Sequence, residues 1–341
     1  MINKMVMLRC KVPSDVERIT FNEMRDCDDM YYHLWSEVCN KVDHDAMCEI
    51  WLWGGLRYNY MDERILERWS HSFTDLIRES TKPPDVIFAR GGFKEYVSVM
   101  KAHPNAFRIY YGAGKRFNPK MVPDDVPYDL VLCDTVKQRN ELTKLGYTTH
   151  LFTKPACDII FKPVPAKKEF DVVFIANAPQ KKLKGHEWFF KKVEGAGLRI
   201  LQIGHVDDEV IKWARDRNLN IRFTGWIPRK DIPAQACRAL VGVCCSTSYE
   251  SCPRVIPEYL AMNLPIVVRN TTRVSTKYVN EHTGIMTDDD HFLGNLLHVI
   301  SKDHTYSPYS YYLHNLSTDI ASTHLATKIR SVMNDKARRQ K

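Results

Sequence analysis

No stretch of the 341 residues approaches the ~18 consecutive apolar residues that a bilayer-spanning helix requires. An integral membrane protein is therefore not expected. The first ten residues carry one early lysine and an apolar stretch too short and too interrupted for a signal peptide, so they read as a first strand. There is no C-x-x-C pair, no internal repeat and no low-complexity segment. Ten cysteines are present but scattered, and without paired spacing they read as reduced thiols of a cytoplasmic protein rather than as a disulfide framework or a metal site.

What is present has the balance of an ordinary globular chain, 44% hydrophobic and 26% charged. The length suits two domains, each large enough for its own core. Forty-nine Lys and Arg against 41 Asp and Glu leave a formal charge of +8. Such a surface can meet nucleic acid, anionic lipid headgroups in a peripheral contact, or the phosphates of a small substrate. The basic end, Lys336 to Lys341, reads as a solvated tail.

From Phe170 onward, short apolar segments alternate with helical stretches: Phe170 to Ala176, Leu198 to Gly204, Ile221 to Thr224, Val241 to Cys245 and Pro265 to Arg269. This alternation predicts a doubly wound parallel sheet, whose ligands bind outside the carboxyl ends of the strands. The first half repeats the pattern less clearly, with strands expected at Met5 to Cys10, Cys48 to Trp53, Val86 to Arg90, Phe107 to Tyr111 and Leu130 to Cys133. Prolines and charge between Phe161 and Glu169 mark the expected boundary, giving domains 1–165 and 166–341.

Two carboxylates, Glu250 and Glu258, stand with seven residues between them around a predicted strand-to-helix turn. Pro253 reads as a first-turn helix residue, where its missing N–H costs nothing. Free backbone N–H groups near Cys252, Arg254 and Val255 would face the crevice and suit a diphosphate, while carboxylates accept hydrogen bonds from sugar hydroxyls. This stretch resembles the Glu, seven residues, Glu motif of retaining GT-B glycosyltransferases (group 1, family 4-like), and Glu258-Tyr-Leu-Ala-Met-Asn-Leu-Pro-Ile-Val-Val268 is similar to that family's following helix and strand. Phe223 to Ile232 resembles its segment before a short helix, Lys184-Gly185 its phosphate lysine, and Tyr128 to Phe161 the end of its first domain.

The resemblance implies an α/β GT-B fold, two Rossmann-like doubly wound parallel-sheet domains facing a cleft, with a last helix, about 311–333, crossing back to the first. It implies a retaining hexosyltransferase in which Glu258 binds the donor ribose, Glu250 lies by the transferred sugar and Lys184 neutralises the leaving phosphate. Trp226 and Ile227 would line the nucleobase site, Trp226 either stacking on the base or packing in the core. The co-substrate would be a UDP- or GDP-sugar, with no metal or other cofactor. The acceptor stays open between glycan, lipid-linked and protein acceptors, with hydroxymethylated viral DNA as an alternative. Asn177 stands where the family usually has an arginine, Lys181 and Lys182 are the substitutes at hand, and no Gly-Gly loop follows Cys10. These departures keep a second alternative open, a degenerate member that binds sugar nucleotides or glycans without transfer.

Other motifs are weaker. Gly91-Gly92 and Gly112-Ala-Gly-Lys-Arg116 allow close backbone approach, but the latter lacks the Ser or Thr that a P-loop places after its lysine. Asp43-His-Asp45 and Asp288-Asp-Asp-His291 offer oxygen ligands, but the second begins a helix and reads as its cap and dipole partner rather than as a metal site. His103 and His205 have no paired spacing, and either could face a substrate.

Overall fold

The computed structural model describes residues 2–9, 30–52, 57–59, 64–66, 83–90, 94–112, 128–177, 181–247, 250, 252–272 and 274–339. The chain divides into two compact units, Met1–Thr153 with Thr318–Lys341, and Lys154–Ser317.

The first unit holds an eight-stranded sheet. Its strands are β1 (Lys4–Arg9), β2 (Met47–Leu52), β3 (Arg57–Asn59), β4 (Arg64–Leu66), β5 (Val86–Arg90), β6 (Phe107–Tyr111), β7 (Leu130–Cys133) and β8 (Thr149–Leu151), in the order β4-β3-β2-β1-β5-β6-β7-β8. Six of them run parallel, while β3 and β4 extend the β2 edge antiparallel. Met5, Val6, Met7 and Leu8 are all fully buried, as a strand covered on both faces requires. Val6, Leu8, Ile87, Ala89, Val99, Met100, Val131 and Leu142 share one core. The helix Thr318–Arg339 belongs to this unit and lies against the helix Met30–Val42. There Lys41 Nζ bonds the Asp319 carboxylate, the Asp319 carbonyl at 2.9 Å and Thr323 Oγ1 at 2.7 Å, and Arg330 reaches the Lys41 carbonyl at 2.9 Å.

The second unit holds β9 (Phe170–Ile175), β10 (Ile200–Ile203), β11 (Ile221–Phe223), β12 (Ala239–Cys244), β13 (Ile266–Arg269) and β14 (Gly284–Thr287), all parallel, in the order β11-β10-β9-β12-β13-β14. Its core joins Val172, Phe174, Phe189, Phe190, Val241, Val243, Phe292 and Leu296. The order reverses between β9 and β12, so the loops leaving these two strands flank the crevice where such sheets take ligands.

The two doubly wound sheets make the GT-B fold. The division itself falls earlier than the expected 161–169 segment, between Thr153 and Lys154. The reason is a set of tyrosine hydroxyls from far along the chain: Tyr278 OH accepts from the Lys154 N–H at 2.7 Å, and Tyr312 OH accepts from Ala156 N–H at 3.0 Å and donates to Asp158. Val164 N–H adds a bond to Cys237 Sγ at 3.4 Å. The expected last helix is likewise two, Pro308–Asn315 in the second unit and Thr318–Arg339 in the first. The basic end is helical to Arg339, and Lys336 pairs with Asp129 at 2.7 Å instead of forming a solvated tail.

The eight described cysteines are buried, with Cys39 and Cys48 sulfurs 2.9 Å apart. No helix among the described residues is long and apolar enough to cross a membrane.

Candidate active site

The site grows from the reversal in strand order. The loop from β9 leads to the short helix Lys181–Lys184, and the loop from β12 carries Glu250 and then the helix Val255–Ala261. Two close backbone approaches bring these together. Thr247 N–H bonds the Leu183 carbonyl at 2.8 Å, and Gly185, with φ 77°, lies where a Cβ would stand 2.1 Å from the Cys245 carbonyl oxygen. Only glycine fits that contact and that dihedral. Lys184 Nζ thereby reaches both Glu250 oxygens, at 2.7 and 2.9 Å. The fully buried Ser246 donates its hydroxyl to Glu250 Oε2, while its carbonyl accepts from Thr271 Oγ1.

Glu258 sits differently. The helix carrying it starts at Val255, later than Pro253 suggests; the proline in its first turn is Pro257, tolerated because the first four N–H groups have no partner within the helix. Glu258 N–H makes the first such bond, to the Arg254 carbonyl at 3.3 Å. The neighbouring Tyr259 fixes the helix to the sheet. Its ring lies over Gly242, where a Cβ would stand 2.6 Å away, and its hydroxyl accepts from Ile175 N–H at 2.9 Å and faces the Val173 and Val243 carbonyls. Burial pushes that phenol well above its usual range and the Cys244 thiol to about 11, so both stay protonated.

The Glu258 carboxylate, 5% exposed, takes Arg229 Nη2 on Oε1 at 2.6 Å. Arg229 comes from another element, the 3₁₀ turn Arg229–Asp231 after β11, and its guanidinium stands 5.0 Å from the buried Phe161 ring. Sequence reasoning missed it: Arg229 and Lys230 are adjacent cations in one loop, and no periodicity separates them.

Trp226 is 69% exposed at the end of β11, which removes the core alternative, and Ile227 is half-buried beside it. Cys252 and Pro253 are buried, Arg254 is exposed at the helix cap, and Val255 opens the helix half-buried. The Cys252 carbonyl accepts from the buried Lys154 ammonium at 3.0 Å. Asn177 ties two loops of the same edge, its Oδ1 accepting from His205 N–H at 3.0 Å, and Gly204 N–H bonds the Gly225 carbonyl at 3.0 Å. His205 itself is exposed there. The side chains of Lys181 and Lys182 lie outside the described residues, as do Gly91, Gly92 and the loop 113–116.

The remaining motifs fall elsewhere. His103 follows the helix Lys94–Ala102 and precedes β6, at the amino edge of the first sheet. Asp43, His44 and Asp45 also precede a strand, and their ligand atoms lie within 4.8 Å of one another, but Asp43 already accepts from Ile2 and Asp45 N–H groups. Asp288 accepts from His291 N–H at 2.9 Å and Asp289 is clasped by Arg269, so both serve the turn before the helix Phe292–Ser301.

Residues 169–302, most of the second unit, match the family model described as glycosyl transferases group 1. No curated protein matches the sequence. Among solved structures, sucrose-phosphate synthase from Thermosynechococcus elongatus is similar at 11% identity and TM-score 0.72, over 97% of this chain and 100% of that one. A glycosyltransferase from Rickettsia africae is similar at 14% identity and TM-score 0.70, over 97% and 99%. Anabaena HepE, solved with UDP and glucose, is similar at 12% identity and TM-score 0.61, over 96% and 100%.

Proposed function

We propose that this chain, a glycosyltransferase of GT-B fold whose residues 169–302 match the group 1 family, moves a sugar from a nucleotide donor to an acceptor hydroxyl with retention of configuration. The observation that carries the reading is the pairing of each glutamate at the carboxyl edge of the second sheet with a cation from another loop, Lys184 on Glu250 and Arg229 on Glu258. In this reading Glu258 receives the ribose hydroxyls, because a carboxylate is an acceptor-only group and two hydroxyls left without it would lose charge-assisted bonds. Exposed Trp226 offers a face to the base, with Ile227 beside it. Lys184 counters the charge that builds on the departing diphosphate, where a cation lowers the barrier more than it tightens donor binding. Glu250 lies by the transferred sugar and holds that lysine. The leaving phosphate itself accepts the proton of the acceptor hydroxyl on the same face, and no metal or organic cofactor is invoked. UDP- and GDP-sugars are the donors of choice, and a glycan, lipid-linked or protein acceptor the first to try.

One observation favours a second reading, binding of a sugar nucleotide without transfer. Asn177 stands where the resembling family usually has arginine, and here it is occupied in the loop bond to His205. One experiment separates the readings: mass spectrometry of nucleotide released from a panel of UDP-, GDP- and ADP-sugars by the wild type and by Glu258→Ala, with and without hydroxymethylated DNA. Release that depends on Glu258 is expected; hexose mass on the DNA would identify that polymer as acceptor. Donor binding with no release from any sugar would replace transfer by binding alone.

A further inference from the structure

We infer that Arg229 is a positioning residue for the donor site, fixing the Glu258 carboxylate so that one oxygen is kept for the ribose and thereby setting the preference for ribose over deoxyribose. The inference rests on the reading of Glu258 given above. Glu258 is 5% exposed, and a carboxylate so buried is costly unless paired. Arg229 supplies the pair through Nη2 to Oε1 alone, at 2.6 Å, and no described residue bonds Oε2. A single charge-assisted bond to one oxygen pins the carboxylate plane while leaving the other oxygen's lone pairs for two vicinal hydroxyls.

The support behind Arg229 is built from sequence far away. Its guanidinium lies 5.0 Å from the centroid of Phe161, which is 1% exposed, and its turn follows Pro228, whose fixed φ of −55° launches the 3₁₀ turn after Trp226 and Ile227. One loop thus presents both the exposed indole and the cation that aims the ribose acceptor. On the other side, Tyr259 holds the Glu258 helix to β9 and β12. The acceptor oxygen is therefore fixed from two directions before any ligand arrives, and a planar guanidinium is suited to that in a way a lysine ammonium is not.

The test measures binding of UDP and 2′-deoxy-UDP, and of GDP and 2′-deoxy-GDP, by calorimetry to the full-length protein. A hydroxyl bonded to a charged acceptor corresponds to a ribose preference of about tenfold or more in the wild type. Arg229→Met is expected to bring that ratio below about threefold, Arg229→Lys to leave it in between, and Arg229→Met with Glu258→Gln to be no lower than Glu258→Gln alone. Arg222→Met, on an exposed strand position of the same region, keeps the wild-type ratio. Because each ratio is taken within one preparation, a partly unfolded fraction cancels, and Arg229→Lys carries the test if Arg229→Met does not fold. Equal weakening of both nucleotides, or an unchanged ratio, in the Arg229 variants while Glu258→Gln abolishes the preference would overturn the inference and leave the donor site standing. A wild-type ratio in Glu258→Gln would instead overturn the ribose role of Glu258, and the inference with it.

Discussion

Glu250 and Glu258 follow the same strand, β12, yet their carboxylates are held in different ways. Glu250 lies in the loop with both oxygens taken, by Lys184 and Ser246, and its side chain is 24% exposed. Glu258 lies on a helix anchored by Tyr259, with one oxygen taken and the other open. A saturated acceptor can receive a substrate hydroxyl only by releasing a partner, whereas an open one is ready beforehand. The nucleoside half of the proposed donor would meet a preset acceptor, and the diphosphate-sugar half a lysine already paired, which must exchange Glu250 for phosphate.

The sharpest way to break this comparison is at the lysine. Lys184→Ala is expected to lower kcat by about 100- to 1000-fold, the loss typical of one preorganised charge-stabilising donor, with donor KM little changed. Glu258→Ala is expected to act mainly through donor KM, so steady-state kinetics of the two variants should separate along different parameters. A shared KM effect would mean that Lys184 and Glu258 both serve the ground state alone.

Gly185→Ala attacks the approach that delivers the lysine. A Cβ 2.1 Å from a carbonyl oxygen cannot be accommodated without moving the β12 loop, and at φ 77° it adds strain of about 1–3 kcal/mol. Chemical denaturation should show that loss together with a drop in transfer. Tyr259→Phe removes the hydroxyl facing three backbone groups of β9 and β12 and should cost about 1–3 kcal/mol by the same measurement. Ser246→Ala removes one of the two bonds to Glu250 Oε2 and leaves that of Lys184, and is expected to cost about 1 kcal/mol, with turnover changed by less than about tenfold.

The smallest effect lies at Asp289, outside the comparison. The Arg269 guanidinium, and less strongly Trp188, hold its carboxyl below the usual carboxylate range. A depressed folded value stabilises above the unfolded one and is lost as pH falls through it. With the carboxylate 42% exposed, Asp289→Asn should flatten the acid limb of a stability profile by only a few tenths of a kcal/mol.

Much of this was legible from the chain. β5, β6 and β7 run over the residues expected, because strands buried along nearly their whole length are rich in apolar residues, with Arg108 inside β6 and Arg90 at the end of β5 as the charged exceptions. The glutamates and Lys184 could be named because their neighbours carry a motif. β3, β4, β8 and β14 were not expected: each has three or four residues at or beside a sheet edge, too few to show a period. Arg229 and Ser246 escaped notice because their importance comes from what they touch. The boundary at Thr153 was hidden for the same reason, as tyrosines 124 and 156 positions onward hold the segment after it.

That boundary has a consequence for how the polypeptide is made. The second unit is an uninterrupted segment, Lys154–Ser317, whereas the first is assembled from both ends of the chain. On a ribosome the second unit can complete its sheet as soon as Ser317 has emerged. The helix Met30–Val42, synthesised long before, must wait for Thr318–Arg339 to cover it. The later segment therefore closes the earlier one, and nascent chains halted just before Thr318 should carry a finished second unit beside an unfinished first.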